Sequence, residues 1–277
     1  MKLSIVSAPY LNYPIEEVIK RVADMGYNGI ELSAISEYGR AYPKDLNIEK
    51  RKEILKLAKS FNINICAYNP ELRPTLGLCL AHPNKNIRRD TVKYIKDAID
   101  MAADIEAKVV VVVPGRALYN VSKREAWEWS TEGFKESTEY AENRGVLLGL
   151  EHLTNLEGNI VCTLDDLISM IKDISSKNFG AVIDTGHVNI TKESLTDYVK
   201  LLKDKIFHIH WDNNDGLIDS HAPPYEGTLD FTNFFKELKN INYQRYISVE
   251  IGFSYSTDPD TPALKSKEMY KKLISSI

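Results

Sequence analysis

Cysteine is scarce in this chain: Cys66, Cys79 and Cys162 are the only three in 277 residues, widely spaced and without a CxxC pair. An odd, scattered set argues against a disulfide framework and for reduced thiols in a cytoplasmic protein. Long apolar runs are missing as well. The longest, residues 109–113, falls far short of a membrane span, and the opening MKLSIVSAPYL has neither the apolar length nor the cleavage site of a signal peptide. Neither charge predominates: 35 Lys and Arg stand against 39 Asp and Glu, for a formal net charge of −4. That balance offers no general attraction to polyphosphate and argues against nucleic acid or an anionic membrane as a partner. A serine nucleophile elbow, a P-loop and a dinucleotide-binding Gly-rich turn are all absent. So is any Pro-, Gly- or Ser-rich linker, and residues 1–277 are therefore expected to form one domain, long enough to bury a sizeable core.

What the chain does have is a regular alternation. Short apolar runs (LSIVSA, GIELSA, NINICAY, KVVVVVPG, VLLGLEHL, FGAVIDT, IFHIHW and YISVEIG) are separated by longer amphipathic stretches. PIEEVIKRVADMG and NIRRDTVKYIKDAIDMAADI repeat their apolar residues every three to four positions, and the first runs from Pro14 to a stop at Gly26. Eight strands alternating with eight helices imply parallel pairing through right-handed crossovers. A doubly wound sheet shares this pattern, but the polar residues favour a closed (β/α)8 TIM barrel. Closure would bring all eight C-terminal strand ends to one mouth, where such barrels carry their chemistry.

Four consecutive strand candidates end in a metal-binding type of residue: VLLGLE in Glu151, FGAVID in Asp184, IFHIH in His210 and YISVE in Glu250. Strand side chains alternate, so Leu147, Gly149 and Glu151 share a face, as do Val182 with Asp184 and Ser248 with Glu250. If these faces point inward, three carboxylates meet one imidazole. Carboxylates that close repel one another and do not all stay ionised unless a cation joins them. The mixed oxygen and nitrogen set suits one divalent ion, Mn²⁺ first, with Co²⁺, Mg²⁺ or Zn²⁺ as alternatives. One such residue could simply mark a chain leaving the core; four in succession argue otherwise. Glu157, His187, Asp219 and His221 lie in loops at the same mouth and are candidate substrate contacts. His208 reads as a core or supporting histidine, His152 as pointing away from the axis, and His82 as structural. Glu31 ends the second strand and either meets substrate or faces solvent. Trp127 and Trp129 read as packing or oligomer contacts.

Two carboxylates flanking a metal suit proton abstraction beside a carbonyl. The cation would hold the carbonyl oxygen and the adjacent hydroxyl of a ketose and stabilise the enediolate. Glu151 and Glu250, on strands that enclose the pocket from opposite sides, are the expected acid/base pair. One would remove the proton and the other would return one from the opposite face.

At these residues the chain resembles the xylose-isomerase-like TIM barrel superfamily, in particular its ketose 3-epimerases. The resemblance is carried by GLEHLTNLEGNIV, VIDTGH, HIHWDNNDG and SVEIG, and extends through GYNGIEL and RRDTVKYIKDAIDMA. It implies that Glu151, Asp184, His210 and Glu250 hold the metal, that Glu151 and Glu250 are the acid/base pair, and that Glu157 and His187 contact the sugar. It also implies a homodimer or homotetramer. Free-ketose members (the tagatose and psicose type) carry an arginine six residues after the metal histidine, where this chain has Gly216. The loop pattern DGxxDxH, with YNPE after the third strand, looks more like the fructoselysine-type 3-epimerases. Three rival readings remain at this stage. One is an apurinic-endonuclease-like phosphodiesterase using Asp184, His187, His210, Asp219, His221 and Glu250, although the strand ends in NINICAYNPEL and KVVVVVPGR carry no histidine for a further zinc. Another is an inosose dehydratase or related polyol-ketone isomerase, and the third is a binding protein without catalysis. Arg73 and Arg116 are the residues that could bind a phosphate; without a Gly-rich cradle after strand eight, an unphosphorylated sugar is expected.

Overall fold

A computed structural model of the chain describes residues 1–34 and 41–277. Eight parallel strands close into a barrel in chain order. They are β1 (Lys2–Val6), β2 (Gly29–Ser33), β3 (Asn64–Asn69), β4 (Val109–Val112), β5 (Leu147–Glu151), β6 (Phe179–Asp184), β7 (Ile206–Trp211) and β8 (Tyr246–Val249). β8 closes on β1 with Lys2 opposite Tyr246 and Ser4 opposite Ser248. The outer ring comprises α1 (Ile15–Asp24), α2 (Ile48–Ser60), α3 (Lys85–Asp104), α4 (Lys123–Arg144), α5 (Leu164–Ile174), α6 (Thr185–Thr191), α7 (Leu195–Leu202), α8 (Thr232–Asn240) and α9 (Asp260–Ser276).

Local sequence explains these elements. Strands covered on both faces favour β-branched residues, and β4 is four consecutive buried valines. α1 buries Ile15, Val18, Ile19 and Val22, an i, i+3, i+4, i+7 stripe. A capping box between Ser122 and Glu125 starts α4, and Gly145, at φ 69°, ends it in the left-handed conformation glycine tolerates best. The main core lies between strands and helices. Phe134 of α4, for example, meets Phe179 of β6 with ring centres 5.2 Å apart. Replacing such a buried phenylalanine with alanine typically costs about 3–5 kcal/mol.

The barrel interior has a different composition. A small separate cluster of Cys66, Ala67, Val109 and Phe207, flanked by Leu147 and Tyr246, fills its lower end. Above it lie buried polar groups from Ser4, Glu31, His208 and Ser248. Pairing between β6 and β7 steps from Ala181–Ile206 to Val182–His208, leaving Phe207 as the extra residue of a bulge. Two local expectations change. Glu250 lies one residue beyond β8, and His187 sits on α6 rather than in a loop. α6 and α7 both fill the sixth crossover, giving nine α-helices among the described residues where eight were expected.

Candidate functional site

Glu151 and Asp184 end β5 and β6, His210 is the penultimate residue of β7, and Glu250 follows β8. One donor atom from each lies within 4.8 Å of the others. His210 Nδ1 is at the centre, 2.6 Å from Glu151 Oε1, 3.0 Å from Glu250 Oε2 and 4.0 Å from Asp184 Oδ2. Asp184 is also the N-cap of α6: its Oδ1 accepts from the His187 backbone N–H at 2.8 Å. Its buried Oδ2 has no hydrogen-bond partner. An unpaired carboxylate oxygen in a dry site is costly unless a cation or proton satisfies it. Burial, and then the neighbouring Asp212, push the Asp184 carboxyl well above the usual carboxylate range. Burial also opposes charge on His210, but Glu250, Glu31 and Glu151 raise its imidazole well above the ordinary value. Burial likewise opposes ionisation of Glu250, yet His210, with His221 and His187, holds it well below the usual range. Three carboxylates around one imidazole, with an orphan oxygen among them, form a donor set that fits one divalent cation.

Glu31 supports this group from below. Its carboxylate lies 3.0 Å from His210 Nε2 and 2.7 Å from His208 Nε2, with no solvent exposure. Burial would raise Glu31, but His210 and His208 bring it down to about 2. Glu31 thus neither meets substrate nor faces solvent. Its contact with Nε2 leaves Nδ1 of His210 directed at the carboxylates, the arrangement by which a carboxylate orients a metal-binding imidazole. His208 also contacts Ser248 Oγ at 2.9 Å, as expected of a supporting histidine.

A second cluster lies beside the first. Glu157, His187, Asp219 and His221 also offer donor atoms within 4.8 Å of one another. His187 Nδ1–H donates to the His152 carbonyl at 2.8 Å, so its Nε2 faces Glu157 Oε2 and Asp219 Oδ2, each at 3.1 Å. Burial opposes charge on His187, but Asp184, Asp219 and Glu157 raise it well above the ordinary imidazole value. Glu157 and Asp219 are each lowered by His187 against the effect of burial. His152 is buried against the rings of His187 and Tyr198, away from the cluster.

The structure therefore brings together all eight candidate residues in two adjoining groups. Asp212 was missed. It is fully buried, accepts from the Gly186 N–H at 2.7 Å and lies 3.2 Å from His221 Nδ1. A side chain at Gly186 would collide with it, since an added Cβ would sit 2.2 Å from Asp212 Oδ2. The clue was present: Asp212 continues the i, i+2 series of His208 and His210. Glu71 was also missed; it lines the same cavity, of about 330 Å³, together with Arg73, Glu151, Glu157, His187 and Glu250. A larger groove of about 640 Å³ between α3 and α4, with Arg88 and Trp129 in its wall, has no such convergence of ligand groups.

Residues 19–273 match the xylose isomerase-like TIM barrel family. A fructoselysine 3-epimerase of Shigella flexneri is 28% identical over 275 residues, covering 99% of this chain and 98% of the relative. A D-psicose 3-epimerase of Agrobacterium fabrum is 21% identical over 243 residues, covering 84% of this chain and 77% of that one. Among solved structures, a D-tagatose 3-epimerase-like protein superposes with a TM-score of 0.84 at 27% identity, covering 99% of this chain and 97% of the other. No described helix is long and apolar enough to cross a membrane. On fold, strand-end chemistry and full-length similarity, this chain belongs to the xylose isomerase-like TIM barrels.

Proposed function

We propose that the chain is a divalent-metal-dependent 3-epimerase of a small sugar, acting on a ketose or on a ketose that carries an amine at C1. The observation that carries this reading is the placement of Glu151 and Glu250 on either side of His210 Nδ1, 2.6 and 3.0 Å from it, beside a buried Asp184 oxygen without a partner. Glu151, Asp184, His210 and Glu250 would hold the metal. When bound, it supplies positive charge that polarises the C2 carbonyl and acidifies the C3–H bond.

The chain's own groups account for the proton movements. One of Glu151 and Glu250 accepts the C3 proton, leaving the electron pair delocalised towards the C2 oxygen. The other donates a proton to C3 from the opposite face, which inverts that carbon and returns the pair to the C–H bond. His187, whose imidazole Asp184, Asp219 and Glu157 raise above its ordinary value, would donate from Nε2 to the substrate oxygen that gains charge, and Glu157 and Asp219 would accept from nearby hydroxyls. His221, held by Asp212 and Asp219, borders the same space.

Two observations support including amine-linked sugars. The fructoselysine 3-epimerase matches almost end to end. Gly216, at the position where the resemblance implies an arginine in free-ketose members, is buried at φ 76°, and an added Cβ would lie 2.2 Å from Lys192 Nζ. A side chain could enter there only by displacing that lysine. The phosphodiesterase alternative gains little, because β3 ends in Asn69 and β4 is followed by Val113, neither of them a zinc ligand.

The test is hydrogen exchange. Enzyme stripped of metal and then supplied with Mn²⁺ or Co²⁺ is incubated in D2O with D-psicose, fructoselysine and an inosose. Metal-dependent deuterium at C3 together with a new C3 epimer, both lost in Glu151→Gln and Glu250→Gln, is the expected result. Dehydrated product from the inosose alone would replace epimerisation with a lyase reaction. Metal-dependent cleavage of abasic DNA without sugar exchange would favour the phosphodiesterase.

A further inference from the structure

One carboxylate at the mouth has no part in the proton transfers. Glu71 follows β3, is 8% exposed, and shares the cavity with Glu151, Glu250 and His187. Its backbone adopts φ 57°, a left-handed conformation that side chains rarely take, and its N–H is held by Asn69 Oδ1 at 3.0 Å. Its two carboxylate oxygens are fixed separately: Ser33 Oγ donates to Oε1 at 3.1 Å, and Arg73 Nε donates to Oε2 at 2.5 Å. Strained main chain and two side-chain partners thus hold a buried acid against the substrate space.

The layout also gives a sugar its direction. In the reading above, Glu151 and Glu250 flank C3, and the His187 cation stands at the carbonyl side, on the β5–β7 half of the mouth. The chain beyond C3 then extends towards the β2–β3 half, where Glu71 and Asn69 line the cavity. Resting on that epimerase reading, we propose that Glu71 is a specificity-determining residue that binds the hydroxyls of the sugar tail, C4 to C6, and restricts the site to sugars whose tail carries no phosphate. A carboxylate accepts from vicinal hydroxyls, whereas it repels a phosphate ester placed at the same point. Arg73 engages Glu71 through Nε alone and is half exposed, so the Glu71→Gln comparison with the 6-phosphate reads whether the carboxylate outweighs that guanidinium. Arg116 is occupied elsewhere, donating to the Leu156 carbonyl at 2.5 Å. Burial pushes Glu71 up to about 7 against the pull of Arg73.

The experiment compares sugars of different tail length on the metal-loaded full chain. Exchange at C3 in D2O is measured with D-psicose, with four-carbon erythrulose, which lacks C5 and C6, and with D-psicose 6-phosphate. The variants are Glu71→Ala and Glu71→Gln, with Mn²⁺ affinity and thermal unfolding measured alongside. The expected result is that the kcat/KM ratio of D-psicose to erythrulose falls at least tenfold in Glu71→Ala, mostly through KM, and that Glu71→Gln improves relative use of the 6-phosphate. If Glu71→Ala does not fold, the near-isosteric Glu71→Gln decides by its ratios alone. If only fructoselysine exchanges, the ratio is read between it and its four-carbon counterpart. Ratios unchanged in a folded, Mn²⁺-binding variant would overturn the tail subsite and leave the epimerase reading intact. Absence of exchange by the unaltered protein with every sugar would overturn both.

Discussion

The mouth of the barrel holds two four-residue clusters that look interchangeable by composition alone. Each can offer donor atoms within 4.8 Å of one another, but their charges differ. Glu157, His187, Asp219 and His221 set two imidazoles, raised in part by Asp184 and Asp212 outside the cluster, against two lowered carboxylates. Glu151, Asp184, His210 and Glu250 set three carboxylates against one imidazole and leave Asp184 Oδ2 unpartnered. The first cluster has two raised imidazoles for two carboxylates; the second has one raised imidazole for three. On the function proposed above, the second cluster would take the metal and the first would donate protons, although both contain histidine and acid at ligand spacing.

The severest challenge to this division is loss of the proposed acid/base pair. Glu151→Gln or Glu250→Gln should lower kcat by on the order of 10²–10⁴-fold, the usual worth of a positioned general acid or base. Each also loses a metal ligand, so rates must be measured at saturating Mn²⁺, with occupancy determined independently. A variant that regains full rate at high metal would show that its glutamate serves only as a ligand.

The neighbouring cluster should respond differently. His187→Asn removes the donor proposed to face the reacting oxygen and should lower kcat by about 10²–10³-fold, as loss of one preorganised donor does. Mn²⁺ affinity, measured by calorimetry, should stay within a few-fold. A large loss of affinity with little change in rate would reverse the two roles.

Much of this arrangement was legible in the sequence. Strand-end positions in VLLGLE, FGAVID, IFHIH and YISVE named the four central residues, because side-chain alternation and barrel closure leave little freedom at those points. Asp212 followed from the same rule but stood beyond the apolar run, where strand and loop cannot be separated by composition. Glu31 was ambiguous for another reason. Within GIELSA the acid was read as the end of the strand, whereas β2 runs on to Ser33 with Glu31 at its middle, and the β2–β3 pairing slips between Ile30 and Glu31. Glu71 gave no periodic signal at all. Its burial comes from a left-handed turn and from Ser33 and Arg73, contacts that become visible only after folding.

Glu31 gives a smaller effect confined to the metal cluster. Glu31→Gln keeps the volume but removes the charge facing His210 Nε2, and supporting carboxylates of this kind are typically worth about 10–100-fold in metal affinity. Calorimetric titration with Mn²⁺ should show that loss, while metal-free His187 keeps its raised titration in the NMR spectrum. Unchanged affinity would mean that the walls of the barrel alone orient His210.

The mildest perturbation is pH, and it separates the metal-free and metal-bound states by sign. In the metal-free chain, His210 is raised well above the ordinary 6.5 and Asp184 well above 3.8. A group raised on folding binds its proton more tightly in the native state, so its stabilising effect is complete below the unfolded pKa. It is lost as pH rises through the folded one. Metal-free protein should therefore lose this contribution from about pH 6.5 upwards, as the His210 proton between Glu151 and Glu250 departs. The same proton occupies the nitrogen that a cation would take, so binding must displace it. Mn²⁺ affinity should accordingly rise by about tenfold per pH unit for each proton displaced, until the folded pKa is passed. Thermal unfolding with and without Mn²⁺ across this range checks both signs together. A metal-induced rise in Tm that grows with pH, and that is lost in His210→Asn but kept in His187→Asn, would place the ion on His210; a pH-independent rise would place it on groups already deprotonated.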